Sequence, residues 1–373
     1  MAKLFVCGDI VNQTSDDEIV GEKLTAIIHE ADYSICNFEG PELKFGQQAS
    51  CPHQKNGTVN LLNKAGFKMC LLANNHITEL GADGVSYSIN AIKEAGLDCI
   101  GAGLTWEDAY SPLIREIDGQ SFSFVNVCEA QVGQFISPDQ LYGYAWMGYD
   151  GLFDDVKRLA AETDYVIVLV HAGLEHYNLP IPEIRSLYRR ICDAGASVVV
   201  GAHPHCAQGY EYYGERLIVY SLGNFFFPRR ERWPNEVYSY SILLEFLKGE
   251  KVSVTPVFHH NDGSHVEITE ERIVDVQALN EMLGDSYESR SKEIIQHAYA
   301  HLCERLLIEA TCGQNPADGW REVLSKSLHY TLQRDKYIEN TKKKRASLLK
   351  RLFENETYRW VIINALNNDE LSD

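Results

Sequence analysis

Gly195-Ala196-Ser197-Val198-Val199-Val200-Gly201-Ala202-His203-Pro204-His205 is the stretch that decides the fold class. Residues 197–200 read as a buried strand, since β-branched side chains pack well on a pleated surface. Before them, residues 181–194 have helical spacing and stop near Gly195. After them, Gly201 closes the strand and two histidines project from a tight turn. Imidazoles at i and i+2 can reach two metal ions, or one ion from two sides. A turn with two surface histidines is the alternative.

The same grammar runs back toward the N-terminus. Strand-like residues 3–7 end at Gly8-Asp9, and residues 33–37 end at Phe38-Glu39-Gly40. Residues 69–73 end at Asn74-Asn75-His76, and the unbroken apolar run 165–170 ends at His171. Residues 217–221 end at Leu222-Gly223-Asn224. Helical patterns at 22–30, 81–95 and 153–161 alternate with the strands, which predicts an α/β domain. Taken singly, each polar residue has a structural explanation. Asp9 or Glu39 could cap a helix, Asn74 and Asn75 are turn residues, and His171 could be buried and inert. Placed together at the C-terminal ends of strands, where α/β sheets bind ligands, they point to one shared site.

The chain has 373 residues, enough for one large catalytic domain and an appendage. Its formal net charge of −19 argues against a nucleic-acid or anionic-membrane binder. A small anionic or polymeric substrate remains compatible, because bound divalent cations reverse the local field. The ten cysteines include no Cys-x-x-Cys pair, and scattered thiols such as Cys70 in Met69-Cys70-Leu71 fit a reducing compartment. No basic segment leads into a long apolar stretch, and no apolar run reaches the ~18 residues that cross a bilayer. The expectation is a cytoplasmic protein without membrane insertion.

The candidate chemistry follows from the residue types. A carboxylate between two close cations offsets their repulsion, and Asp9 and Glu39 supply carboxylates. Two metals about 3.5–4 Å apart can activate a water and stabilise both attacking and leaving oxygens. An asparagine oxygen is a neutral ligand, and a neighbouring histidine off the metal can protonate a leaving oxygen. Glu175, in His171-Ala172-Gly173-Leu174-Glu175, can orient an imidazole or sit at a helix start.

The ordered set of motifs resembles the CapA, or poly-γ-glutamate capsule synthesis, family of the calcineurin-like metallophosphoesterase superfamily. Those motifs are Gly8-Asp9, Asn37-Phe38-Glu39-Gly40, Leu72-Ala73-Asn74-Asn75-His76 with Gly81, and Gly101-Ala102-Gly103. They continue with His171-Ala172-Gly173-Leu174-Glu175, Asp193-Ala194-Gly195-Ala196, Gly201-Ala202-His203-Pro204-His205 and Tyr220-Ser221-Leu222-Gly223-Asn224-Phe225. The resemblance implies a β-sandwich of mixed sheets flanked by helices and a site for two divalent metal ions (Mn, Fe or Zn). It implies Asp9 and His205 on one metal, Asn75, His171 and His203 on the other, Glu39 between them and His76 as general acid. Asn37, Asn74, Glu175 and Asn224 are expected around these ligands or against substrate. Three positions depart from the superfamily pattern: Val11 stands where a histidine is usual, Glu39 where an aspartate bridges, and Glu79 where an aspartate follows Asn-Asn-His.

The expected activity is metal-dependent hydrolysis of a phosphomonoester or phosphodiester. The alternative is an accessory or amide-hydrolysing role in poly-γ-glutamate or capsular polymer biosynthesis. The catalytic domain is expected over residues 1–262. Helical patterns at 291–310, 320–335 and 343–366 suggest a C-terminal extension over 275–373, which could pair subunits in a homo-oligomer. Its basic run Lys342-Lys343-Lys344-Arg345 reads as a solvated helix face.

Overall fold

The computed structural model describes residues 1–14, 16–227, 237–270, 273–312 and 334–369. They form two compact units, Met1–Tyr287 and Glu288–Asp373.

The first unit opens with four parallel strands: β1 (Ala2–Ile10), β2 (Tyr33–Phe38), β3 (Met69–Leu71) and β4 (Asp98–Ile100). The chain then passes through β5 (Ala102–Gly103) to β6 (Leu113–Ile117) and β7 (Gln120–Cys128). Next, β8 (Gly143–Tyr144) pairs back on β5. β9 (Tyr165–His171), β10 (Val198–Ala202), β11 (Tyr210–Tyr213) and β12 (Arg216–Val219) complete a second sheet, ordered β11-β12-β10-β9-β7-β6. β13 (Asn224–Phe226) returns to lie parallel to β1. β14 (Tyr238–Phe246), β15 (Ser253–Asn261) and β16 (Val266–Ile268) extend the first sheet antiparallel from β1.

Strand periodicity explains how the two sheets stack. Leu4 and Val6 of β1 share one apolar cluster with Ile35, Phe122, Phe124, Ile167, Leu169, Val198 and Val200. Phe5 and Cys7, on the opposite face, pack with Leu24, Ile28, Val59, Leu62 and Ile92 of the helices Glu22–Glu30, Thr58–Lys64 and Gly81–Glu94. A strand covered on both faces is apolar at nearly every position rather than alternating. The fold is therefore the α/β sandwich of mixed sheets flanked by helices that the family resemblance implies, and not the single doubly wound sheet that strand–helix periodicity alone suggests.

The first unit runs on to Tyr287. Val276 and Leu279 of the helix Val276–Glu281 join the inter-sheet core, and Asn280 Oδ1 accepts from Tyr210 N at 2.6 Å. Tyr287 donates to the Pro180 carbonyl at 3.0 Å.

The second unit is helical. The segment expected as one helix over 343–366 is two, Arg334–Glu354 and Glu356–Asp369. Asn355 breaks them, and its side-chain oxygen caps the second by accepting from Tyr358 N at 2.7 Å. The helix expected over 320–335 lies almost wholly outside the described residues. Lys344 pairs with Glu309, and Arg345 donates to the carbonyls of Ala310 and Thr311, so half of the basic run serves packing within this unit. Among the described residues no helix is long and apolar enough to cross a membrane.

One buried histidine couples this fold to pH. His259 Nε2 meets Ser241 Oγ at 3.0 Å, and its ring packs against Phe225. Burial, with the charge of His260 adding, holds its pKa down to about 3. An unfolded histidine titrates near 6.5, so the unfolded chain binds the extra proton between those values. Stability therefore falls as pH drops through that window. His259→Gln, which keeps a partner for Ser241, should lose less stability than wild type between pH 7 and pH 5. A difference on the order of 2 kcal/mol is expected in urea unfolding at the two pH values. Equal losses would remove His259 as an acid-sensitive group.

Candidate metal centre

Strand ends deliver the polar residues to one place, and local backbone irregularities aim them. Between Val6 and Asp9, β1 advances three residues while β2 advances two, from Val6↔Ile35 to Asp9↔Asn37. The extra residue is a β-bulge, and it changes which face the following side chains occupy. Without it Asp9 would point toward the helices with Phe5 and Cys7; with it Asp9 faces the inter-sheet space beside Asn37. Gly8, beside the bulge, lets the Gly223 backbone approach β1 closely. A Cβ there would lie 1.8 Å from the Gly223 carbonyl oxygen, which accepts from Asp9 N at 3.1 Å.

His171 follows Ile167 and Leu169 at strand period and so faces the same space. His203 and His205 leave β10 with φ of +96° and +60°. Positive φ in a non-glycine residue costs on the order of 1–3 kcal/mol and persists where the surroundings enforce it. Asn74 ties two loops together. Its oxygen accepts from Gly40 N at 3.1 Å and His76 N at 3.2 Å, and its amide donates to the Phe38 carbonyl at 2.9 Å. The loops holding Glu39 and Asn75-His76 are thus pinned to each other.

Two clusters of candidate ligand atoms lie close together here. In the first, donor atoms of Asp9, Glu39 and His205 lie within 4.8 Å of one another. Asp9 Oδ2 is 3.4 Å from His205 Nδ1, and Glu39 Oε1 is 3.9 Å from His205 Nε2. In the second, His171 Nε2 is 3.0 Å from Asn75 Oδ1 and 3.1 Å from His203 Nδ1. Asn37 sits beneath both. Its amide donates to Asp9 Oδ1 at 2.6 Å and lies 3.0 Å from His171 Nδ1. Asn224 Oδ1 holds His205 Nδ1 at 3.0 Å. Glu39 reaches His205 and His76, the latter at 3.7 Å. Of the three departures from the superfamily pattern, Val11 is buried and apolar. Glu79 contacts the general-acid candidate directly, at 2.7 Å from His76 Nδ1.

The electrostatics suit cations. Both carboxylate oxygens of Glu39 are buried without a hydrogen-bond partner. A buried carboxylate left so is expensive unless it is protonated or faces a cation. Burial first, then Asp9, pushes the Glu39 pKa up to about 7 against the pull of His205 and His76. At His205 burial favours the neutral ring, but Glu39 and Asp9 outweigh it and raise the pKa to about 10. Burial drops His203 to about 4, and burial with the neighbouring imidazoles sends His171 well below its ordinary value. Neutral imidazole is the ligating form. Ligands about 2.1 Å from a cation stand roughly 3.0–3.4 Å apart, which matches the spacing in the second cluster.

Every residue singled out from the sequence lies in or against this centre. Glu175 Oε1 is 3.8 Å from His203 Nε2, with its side chain about a third exposed. Sequence reading passed over Glu129 and Gln131. Glu129 Oε1 is 3.8 Å and Gln131 Nε2 3.3 Å from His203 Nε2. Their signal was available, since both follow the C-terminal end of β7 as the other site residues follow theirs.

Residues 3–229 match the model of the family described as bacterial capsule synthesis protein PGA_cap. The chain belongs to that family. The chain is similar to the capsule biosynthesis protein CapA of Bacillus anthracis, at 33% identity over 230 residues, 59% of this chain and 56% of that protein. The chain thus spans little more than half of that relative's length. The PGA biosynthesis protein CapA of Bacillus subtilis (strain 168) is 25% identical over 285 residues, 74% of each chain. Among solved structures, a 5'-nucleotidase precursor from Thermus thermophilus superposes with a TM-score of 0.44 at 14% identity, covering 82% of this chain and 59% of that one.

Two outcomes test this centre. Gly8→Ala should cost on the order of 3 kcal/mol in urea unfolding, because the new methyl meets a backbone carbonyl with no room to yield. Unchanged stability would mean the close approach of Gly223 to β1 does not depend on glycine. Adding Mn²⁺ to chelator-treated protein should raise the melting temperature, by the equivalent of about 2.7 kcal/mol at a hundredfold excess over Kd. His205→Ala should blunt that rise. A wild-type protein indifferent to Mn²⁺, Fe²⁺ and Zn²⁺ would remove the metal reading.

Proposed function

We propose that this PGA_cap protein is a metal-dependent hydrolase acting on a phosphomonoester or phosphodiester. The observation that carries the reading is Glu39, a buried carboxylate with neither oxygen hydrogen-bonded, set against Asp9 and His205. Asp9, Glu39 and His205 would hold one divalent ion, and Asn75, His171 and His203 a second. When bound, such ions polarise a phosphoryl oxygen and lower the pKa of water.

The chain's own residues supply the rest. Asp9 and Glu39 bring negative charge that keeps two cations close. Asn37 fixes Asp9 and His171 relative to each other through its 2.6 Å and 3.0 Å contacts. His76 is partly exposed, at 21%, and is the group best placed to meet a leaving oxygen. Burial opposes its charging, but the hydrogen bond to Glu79 and the charge of Glu39 outweigh that and raise its pKa. Glu79 anchors Nδ1, which leaves a proton on Nε2 to be delivered as the ester bond breaks.

The names of the relatives favour a second reading, a part in capsular or poly-γ-glutamate synthesis, with a γ-linked amide as the bond cleaved or no turnover at all. An aryl phosphodiester assay on metal-loaded protein separates the two. Wild type should turn the ester over, and His76→Ala should lose about 10²–10⁴-fold in kcat with its melting temperature intact. No hydrolysis of phosphate esters, with glutamate released from a γ-linked polymer, would favour the amide reading instead.

A further inference from the structure

We propose that Glu129 and Gln131 are positioning residues that select the donor atoms of the second ligand cluster, so that Asn75 presents Oδ1 and His203 presents Nδ1 to one divalent cation. The inference rests on the metal-centre reading above. Neither residue lies in the motifs by which the family is recognised in this sequence.

Glu129 is fully buried at the exit of β7. Its Oε2 accepts from Gly173 N at 3.0 Å, which locks the carboxylate to the loop leaving His171. Its Oε1 accepts from Gln131 Nε2 at 2.9 Å. The other end of the Gln131 amide, Oε1, accepts from Asn75 Nδ2 at 3.1 Å. An asparagine whose nitrogen is engaged on one side must offer its oxygen on the other, and Asn75 Oδ1 faces His171 Nε2. Turned over, the amide would aim two N–H groups at the cluster and ligate nothing.

His203 is set by the same bracket. Its Nδ1 faces His171 Nε2, while its Nε2 has Glu129 Oε1 at 3.8 Å and Glu175 Oε1 at 3.8 Å. A ligating imidazole carries its proton on the ring nitrogen away from the metal and needs an acceptor there. Gln131 Nε2, also on that side at 3.3 Å, is a donor and cannot serve. At 3.8 Å neither carboxylate hydrogen-bonds the ring, but Glu129 and Glu175 both set negative charge on its Nε2 side, which favours the proton there and leaves Nδ1 free to ligate. Removing such an outer partner typically weakens metal binding roughly 10- to 100-fold.

The test is titration of the chelator-treated full chain with Mn²⁺ alone, read by the electron paramagnetic resonance signal of free Mn²⁺. Wild type is compared with Glu129→Gln, which keeps an oxygen for Gly173, and with Gln131→Met. Gln131 is only half-buried, so its variant stands if Glu129→Gln fails to fold. Wild type should bind two equivalents. Each folded variant should keep one at wild-type affinity and bind the other roughly 10- to 100-fold more weakly. Two equivalents at wild-type affinity in the variants would overturn the bracket alone, and so would equal weakening of both. No Mn²⁺ uptake by wild type would overturn the bracket together with the metal-centre reading.

Discussion

Asp9, with no solvent exposure, accepts a 2.6 Å hydrogen bond from Asn37 at the point where two sheets close on one another. The site depends on that contact and on the bulge that makes it possible. The bulge moves Asp9 from the helix-covered face of β1 to the face shared with β9 and β10. The backbone of His203, 194 residues further on, then donates to Asp9 Oδ2 at 3.3 Å. One carboxylate thus joins the first strand, its neighbour and the turn after β10.

Concentrating acids and imidazoles in a closed space opposes folding. Burial disfavours each charge, and two of the histidines, His203 and His205, sit at positive φ. The apolar layers on both sides of the first sheet supply the compensation. Clusters built on Leu4, Val6, Phe124 and Leu169, and on Phe5, Cys36, Phe38 and Ile92, hold the strands whose ends diverge into the site. Such a centre is stable only because the strain lies at strand ends while the burial is continuous beneath them. Divalent cations would relieve the remaining mismatch, since they satisfy Glu39 and Asp9 and leave His171 and His203 neutral.

The second unit obeys simpler rules. Its basic run looks like a solvated face in sequence, and Lys343 behaves so, pairing with Glu339 four residues away on the same helix. Lys344 and Arg345 instead reach Glu309 and the last carbonyls of the helix Glu304–Cys312. Cations belong at a helix C-terminus, where unsatisfied carbonyls concentrate negative charge. Helical periodicity cannot show which neighbouring helix end such a side chain finds.

Much of the centre was legible in the sequence. Asp9, Glu39, Asn75, His171, His203 and His205 each close an apolar run, and the common position at strand ends is a one-dimensional pattern. So is the alternation of strand and helix that gives the α/β class. The partner of each residue was not legible. Strand order, the register shift that turns Asp9 inward, and the contact of Glu79 with His76 all depend on how the folded chain brings atoms together. Glu129 and Gln131 carried the same strand-end signal and were passed over, because a Glu and a Gln in a loop are ordinary until a third element approaches. The helix break at Asn355 was hidden too, because its cap is a local hydrogen bond inside a continuous helical pattern. Burial and periodicity are local, so the order of residues already sets which types stand at the ends of which strands. Which of their atoms meet follows from sheet stacking and register, and those are fixed by the packing of the whole first unit.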